Sequence, residues 1–284
     1  MEELTRGREM RLLDVFSRLY AKEDKIIAWW SAGVTSAVAV KMAIEKYGMY
    51  RVEPIYFEID SHHEDNIRFK KECEEWYGIP IRVERSSKYK DQFDVIARTG
   101  YFNGPSGARC TVELKKNIRF LIESKEKYYG QVFGFEFSKK EINRAIRFSE
   151  QYDVNPLYPL IEKGITKPEC LHYLESAGIR IPRMYELGYP NNNCIGCVKG
   201  GMGYWNKIRK DFPETFDRMK NLEDKMGNSC LKIPLSQLEE NRGVEPEIIM
   251  PDCGNFCDIE FEELIDDRCD DIFENPKTIE RLYK

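Results

Sequence analysis

Cys194-Ile195-Gly196-Cys197 is a CxxC, and Cys253-Gly254-Asn255-Phe256-Cys257 is a CxxxC. Two thiolates make half of a tetrahedral metal site. Cys194, Cys197, Cys253 and Cys257 are therefore the expected ligands of zinc or an iron–sulfur cluster, and residue types do not choose between the two. Gly196, Gly200, Gly201 and Gly203 give the first pair the form of a metal knuckle, in which backbone N–H groups turn toward sulfur. Cys110 and Cys230 are substitute ligands. Cys73, Cys170 and Cys269 fall in expected helices or the tail and read as packing residues. The competing account of all these thiols is inert burial.

A second chemistry-bearing stretch is Ser31-Ala32-Gly33-Val34-Thr35-Ser36, between an apolar run and a helix. Gly33 permits a tight turn, Ala32 keeps bulk away from a ligand, and Ser31, Thr35 and Ser36 offer hydroxyls. The following helix start presents unpaired amide N–H groups and the positive end of its dipole, which together suit phosphate or sulfate. An ordinary capped βα turn reads the same way. Lys140, Arg144 and Arg147 lie at i, i+4 and i+7, one helix face on which forked Arg donors suit an oxyanion. Lys115, Lys116 and Arg119 form a smaller cluster. Both sets also read as solvated faces. Asp60, His62 and His63 follow an expected strand, where one of them can meet a ribose or a divalent ion. Tyr185, Tyr189, Tyr204 and Trp205 flank the knuckle with Lys199, Lys207, Arg209 and Lys210 nearby. They either stack on a nucleic-acid strand or pack the cysteine lobe.

The elements that must position these residues follow from periodicity. Residues 1–24 read as a helix, 25–30 as a buried strand, and 37–47 as a helix. A strand at 52–59, a charged helix at 64–77, a short strand at 80–84, a helix at 112–125 and a strand at 131–137 complete the series. Such alternation predicts an α/β fold, a parallel sheet flanked by helices, with ligands at the carboxyl ends of the strands. The loops after Trp30, Ile59 and Phe137 should then share one rim. Beyond residue 154 strand signals thin out, so we expect a nucleotide-binding domain at 1–154, a smaller helical cysteine-bearing extension at 155–257, and an acidic tail at 258–284.

With 284 residues and 42% hydrophobic content, the chain is long and apolar enough for a real core, which argues against disorder. No apolar run reaches the roughly 20 residues of a bilayer span, and residues 1–6 lack a secretory apolar segment. A cytoplasmic, non-membrane protein is expected. Its nine cysteines then point to metal or redox chemistry and away from a disulfide framework. Basic residues number 44 and acidic ones 49. The imbalance sits in the tail, whose net charge is −6 against +1 for residues 1–257, so net charge gives no case for a broad nucleic-acid surface. The tail reads as a solvated acidic face, with docking as the alternative.

The 31–36 turn resembles the S-G-G-x-D-S loop of the PP-loop group, the adenine nucleotide α-hydrolase-like superfamily of PAPS reductases and ATP pyrophosphatases, matching at Ser31, Gly33 and Ser36. Glu58-Ile59-Asp60-Ser61-His62-His63 falls where the second-strand loop of that group meets nucleotide. Arg109-Cys110-Thr111-Val112-Glu113-Leu114-Lys115-Lys116 resembles the C-T-x-x-L-K segment of PAPS reductases and of the group's DNA phosphorothioation enzyme. Tyr189 to Lys199 resembles the cysteine segment of a phage-borne and bacterial branch labelled PAPS-reductase-like.

That resemblance, over most of residues 25–257, implies an adenine nucleotide (ATP or PAPS), with Ser31, Ala32, Gly33, Val34, Thr35, Ser36, Asp60, Lys140 and Arg144 around it. It also implies sulfur transfer beside a Cys-bound centre, to a nucleic acid or from a sulfur-donor protein. Arg144 is the match for the group's phosphate-binding arginine. Asp252-Cys253-Gly254 resembles the start of the reductase E-C-G-(I/L)-H, so Cys253 is a candidate nucleophile, with Cys110 the second catalytic candidate. The following Asn255-Phe256-Cys257 departs from that pattern and favours a ligand role. Thr35 stands where the group has Asp and Val34 where many members have Lys, which removes a Mg²⁺-holding carboxylate and a phosphate-neutralising ammonium. A non-catalytic nucleotide- or partner-binding protein with structural zinc is the remaining alternative.

Overall fold

The computed structural model describes residues 25–104, 107–243 and 267–283. At its centre lies β1 (Ile26–Trp29), buried at every position. Side chains alternate across a strand, and here Ile26, Ala28 and Trp30 enter one apolar cluster while Ile27 and Trp29 enter another. Both faces are therefore covered, as parallel sheets require. β2 (Val52–Phe57) and β3 (Arg82–Glu84) extend the sheet on one side. β6 (Gly130–Val132) and β7 (Pro156–Leu157) extend it on the other, after a two-strand ribbon of β4 (Asn103–Gly104) and β5 (Gly107–Ala108). The order is β3-β2-β1-β6-β7, with every sheet pairing parallel. The expected fold class is the observed one.

Helix α1 (Val34–Tyr47) covers one face. Its Ala37, Ala39 and Ala43 let the helix backbone sit close to the sheet, and these residues are almost wholly buried. α2 (Asn66–Tyr77) packs beside it, and α3 (Gln92–Thr99), which periodicity missed, starts on Asp91, whose carboxylate accepts from Asp94 N. The expected 112–125 helix is interrupted. A turn at Arg109–Thr111 runs into a π-helical turn at Val112–Lys116 before α4 (Asn117–Lys125). The π turn buries four consecutive residues, Glu113 to Lys116, which a regular amphipathic helix would not. The expected 131–137 strand ends at Val132; Phe133 N still donates to Leu157 O at 3.0 Å, and Gly134 then lies against the start of α1. α5 (Lys139–Gln151) follows, capped by Ser138.

The sheet does not stop at residue 154. Gln131 and Val132 pair with Pro156 and Leu157, and α6 (Pro159–Lys163) and α7 (Lys167–Ser176) supply Leu160, Cys170 and Leu174 to the core around α1. The α/β layer thus extends past the expected boundary. α8 (Arg183–Glu186), α9 (Met202–Asp211) and α10 (Pro213–Met226) form a lobe whose core, around Tyr204 and Trp205, also contains Phe93, Ile96 and Phe102. The described part of the tail, α11 (Asp267–Glu274) and a 3-10 turn at Pro276–Tyr283, is docked and not merely solvated. Cys269 and Ile272 are fully buried against α5, and Phe273 stacks on Phe137 at 5.1 Å. The expected helix at 1–24 lies outside the described residues. Among the described residues no helix is long and apolar enough to cross a membrane.

Candidate functional site

The turn after β1 is built around the Ser36 hydroxyl. It accepts from Ser31 N and from Ser31 Oγ, each at 3.0 Å, and donates to Gly33 O at 2.9 Å. Ser36 is 3% exposed, so its hydroxyl braces the loop and is not offered to a ligand. Ala32 takes φ +60°, the left-handed region that favours glycine, where the resembling motif has Gly. Ala32 and Val34 are wholly buried. Gly134, just past β6, lies against the first turn of α1: a Cβ there would sit 2.8 Å from both Ser36 N and Ser36 Cα. Only glycine fits.

Around this turn lies a cavity of about 140 Å³. Ser31, Gly33 and Thr35 line it from the β1 loop, His62 from the β2 loop, and Gly134 and Glu136 from the β6 loop. Lys115 reaches it from the π turn, Lys140 and Glu141 from α5, and Lys167 from α7, with Tyr185 and Asn191 to Asn193 closing the remaining side. Successive strands are added on one side of β1 as β2 and β3 and then on its other side as β6 and β7, so strand order reverses between β1 and β6 and the cavity occupies the topological switch point where α/β sheets bind ligands. The three loops do share one rim. Three lysines from separate elements, set around a helix start, suit an anion carrying several charges. Lys167 Nζ donates to Pro190 O at 2.6 Å and Asn191 Oδ1 at 2.7 Å, which ties the asparagine run to the α/β layer.

Several expected residues land elsewhere. Arg144 is bidentate to Glu141 (2.9 and 2.8 Å) with its guanidinium over the Phe135 ring, and it is not among the described residues lining the cavity. The carboxylate three positions earlier on the same helix takes the fork meant for phosphate. Asp60 pairs with Arg85 at 2.9 Å outside the cavity. His63 Nδ1 accepts from Asp65 N and its ring meets Phe212, leaving His62 as the histidine of the site. Arg119 is fully buried between the Phe120 and Tyr152 rings, 4.5 Å from each.

The knuckle is held from three sides. Ile195 N donates to Ser61 O at 2.9 Å, and Gln92 Nε2 donates to Ile195 O at 2.8 Å. Tyr204, fully buried, accepts from Gly196 N (2.9 Å) and Cys197 N (2.8 Å) and donates to Cys194 O. The amides expected to face sulfur are therefore spent on a phenol oxygen. Gly196 has φ +79°, and its Cβ would strike Thr215 and Phe93. Cys194 and Cys197 are buried, and Cys110 packs against both of the apolar clusters that contain them. Among the described residues, no group of three or more His, Cys, Asp or Glu side chains is placed to hold a metal ion. Cys253 and Cys257 lie outside the described residues, so the described thiols amount to a half-site. Tyr189 and Trp205 are buried, Lys207 pairs with Asp211 at 2.9 Å, and Arg209 donates to Leu238 O at 2.6 Å. These aromatics and cations pack the lobe.

The remaining cysteines have another character. Burial pushes the Cys73 and Cys170 thiols up to about 12. Burial and then the Glu223 carboxylate, which Cys230 Sγ contacts at 3.0 Å, hold the Cys230 thiol far above its ordinary range. Cys269 Sγ donates to Lys139 O. Because the thiolate is the reactive form, iodoacetamide at pH 8 will leave these four unmodified in the native protein and modify them in denaturant. Peptide mass spectrometry reads the difference, and native labelling of Cys73 or Cys170 would contradict their placement in the core.

No protein-family model matches the chain. An uncharacterized protein of Methanocaldococcus jannaschii is 22% identical over 232 residues, covering 75% of this chain and 45% of the relative. The chain thus spans under half the length of that relative. Among solved structures, the U34-tRNA thiolase NcsA from Methanococcus maripaludis, with its 4Fe–4S cluster, is similar at 15% identity and a TM-score of 0.38, covering 77% of this chain and 78% of that one.

Gly134, Lys167 and the Tyr204 clamp had no signal in the sequence that spacing alone would find. The asparagine run beside the CxxC did have one: three consecutive amides next to a cysteine loop are many hydrogen-bonding groups for a segment with no helix or strand pattern.

Proposed function

We propose that the chain binds an adenine nucleotide in this cavity and uses it for PP-loop-type sulfur transfer, with a nucleic acid as the acceptor class. The observation that carries this reading is the convergence of the Ser31–Thr35 turn with Lys115, Lys140 and Lys167 at the switch point. The base and the reaction type come from the resemblance of the motifs. In this reading the Gly33 and Thr35 amides donate to phosphate oxygens. The three ammonium groups offset the charge that gathers on the departing phosphates. Thr35 holds no metal carboxylate, so a Mg²⁺ accompanying ATP would take its protein oxygen from Glu136. Cys194 and Cys197 would hold a thiolate-bound centre, with zinc or iron–sulfur open on donor chemistry, completed by Cys253 and Cys257 or by Cys110. When bound, an iron–sulfur cluster would carry sulfur.

Two measurements test this. A ligand at a hundredfold its Kd stabilises by about 2.7 kcal/mol, so ATP or PAPS at millimolar concentration will raise the melting temperature by several degrees. If ATP, PAPS and AMP all leave it unchanged, the nucleotide reading fails. Anaerobically purified protein will be brown and hold iron and sulfide, and Cys194→Ser or Cys197→Ser will abolish that content. Colourless protein with one zinc would instead favour the non-catalytic scaffold.

A further inference from the structure

Asn192 is 7% exposed and lines the cavity. Its Nδ2 donates to Ala32 O at 2.7 Å, inside the anion turn, and to Asn66 Oδ1 at 2.8 Å. Asn66 is held in turn, because its Nδ2 donates to Tyr56 Oη at 3.3 Å, and Tyr56 Oη lies 2.7 Å from His62 Nδ1. These contacts fix the amide's orientation, since a backbone carbonyl accepts only and a flipped amide would set two oxygens against each other. Oδ1 is left as a buried acceptor with no partner among the described residues. Buried polar atoms are nearly always satisfied, so an orphan acceptor on a residue that lines the cavity calls for a donor that the described residues do not supply.

We infer that Asn192 Oδ1 accepts a hydrogen bond from a ribose hydroxyl of the bound nucleotide, which makes Asn192 a specificity-determining residue. This rests on the nucleotide reading above. The donor's identity follows from position and charge. Phosphate oxygens at neutral pH have nothing to donate to an amide oxygen. The Asn192 amide touches Ala32 O, so Oδ1 lies within one amide group's width of the phosphate turn. In a nucleotide the O–H donors next to the phosphates are those of the sugar, whereas the amine of the base lies across the ring. A ligand without that hydroxyl leaves the acceptor buried and unsatisfied, which costs about 1–3 kcal/mol.

The test compares ATP, 2′-deoxy-ATP, 3′-deoxy-ATP and inosine triphosphate by calorimetry on the full chain. One of the two deoxy analogues is expected to bind roughly ten- to a hundredfold more weakly than ATP. In Asn192→Ala that gap collapses to within about twofold, even though ATP itself also binds less tightly. Asn192→Ser serves the same purpose should the alanine variant not fold. Equal binding of ATP and both deoxy analogues overturns the inference while leaving the nucleotide reading in place. So does a penalty confined to inosine triphosphate, or a gap that persists in the variant. Failure of all four ligands on the parent protein removes both.

Discussion

Valine at position 134 will empty the anion turn of ligand and lower the melting temperature by several degrees. The argument needs only backbone atoms. A Cβ on Gly134 would sit 2.8 Å from Ser36 N and Cα, closer than real Cβ atoms approach such atoms, and a tight 3.1 Å from Thr35 C. The atoms it meets cannot yield as a long side chain would. They belong to the first turn of α1, which is pinned by the Ser36 hydroxyl and packed against the sheet. Overpacking of this kind typically costs 1–3 kcal/mol, and two further methyl groups place valine at the upper end. Relief requires α1 to move away from β6, and that motion drags the Gly33 and Thr35 amides out of register with Lys115 and Lys140. The expected result is a variant that folds, melts roughly 5 °C or more below the parent, and shows no thermal shift with ATP. A Gly134→Val protein that keeps both the parental melting temperature and the shift would show that the cavity wall is not where we place it.

That contact also marks where sequence reasoning ends. The shared rim was legible because parallel strands with helical crossovers all deliver their loops to one edge, so Ser31, His62 and Lys140 had to meet. Contacts through space were not. Gly134 is one of 19 glycines and has no local signature. Arg144 was placed on the right helix, but helical spacing specifies a face and not a partner, and Glu141 on that face captured it. Lys115 enters the cavity only because a π turn rotates the segment, a deviation from the 3.6-residue repeat on which periodicity depends. The limit at residue 154 came from a fading strand signal, yet a two-residue strand, Pro156–Leu157, is enough to carry the sheet onward. Cys253 and Cys257, the other half of the expected thiolate set, lie outside the described residues, so the knuckle must be judged on Cys194, Cys197 and what holds them.

Of the three groups that hold them, the Tyr204 hydroxyl binds the most backbone, and removing it is the second large effect expected. Tyr204→Phe keeps the ring and its contacts with Tyr189 and Trp205 but deletes the oxygen that accepts from Gly196 N and Cys197 N. Both bonds are buried, and the space one deleted oxygen leaves is smaller than the roughly 30 Å³ that a water takes up in the liquid. Each orphaned donor costs about 1–3 kcal/mol, so Tyr204→Phe will destabilise the protein by roughly 2–6 kcal/mol. Tyr189→Phe is the control. Its hydroxyl makes one bond, 3.0 Å to Asp211 Oδ2, and that carboxylate keeps Lys207 as a partner, so its loss should stay near 1 kcal/mol. Urea denaturation separates the two variants. If Cys194 and Cys197 ligate a metal, Tyr204→Phe will also lower its occupancy, because the turn that sets the two sulfurs apart loses the clamp on its backbone while both thiols remain. Equal stability of the two phenylalanine variants would mean that the knuckle is held by Gln92 and Ser61 alone, and the phenol would then be packing and nothing more.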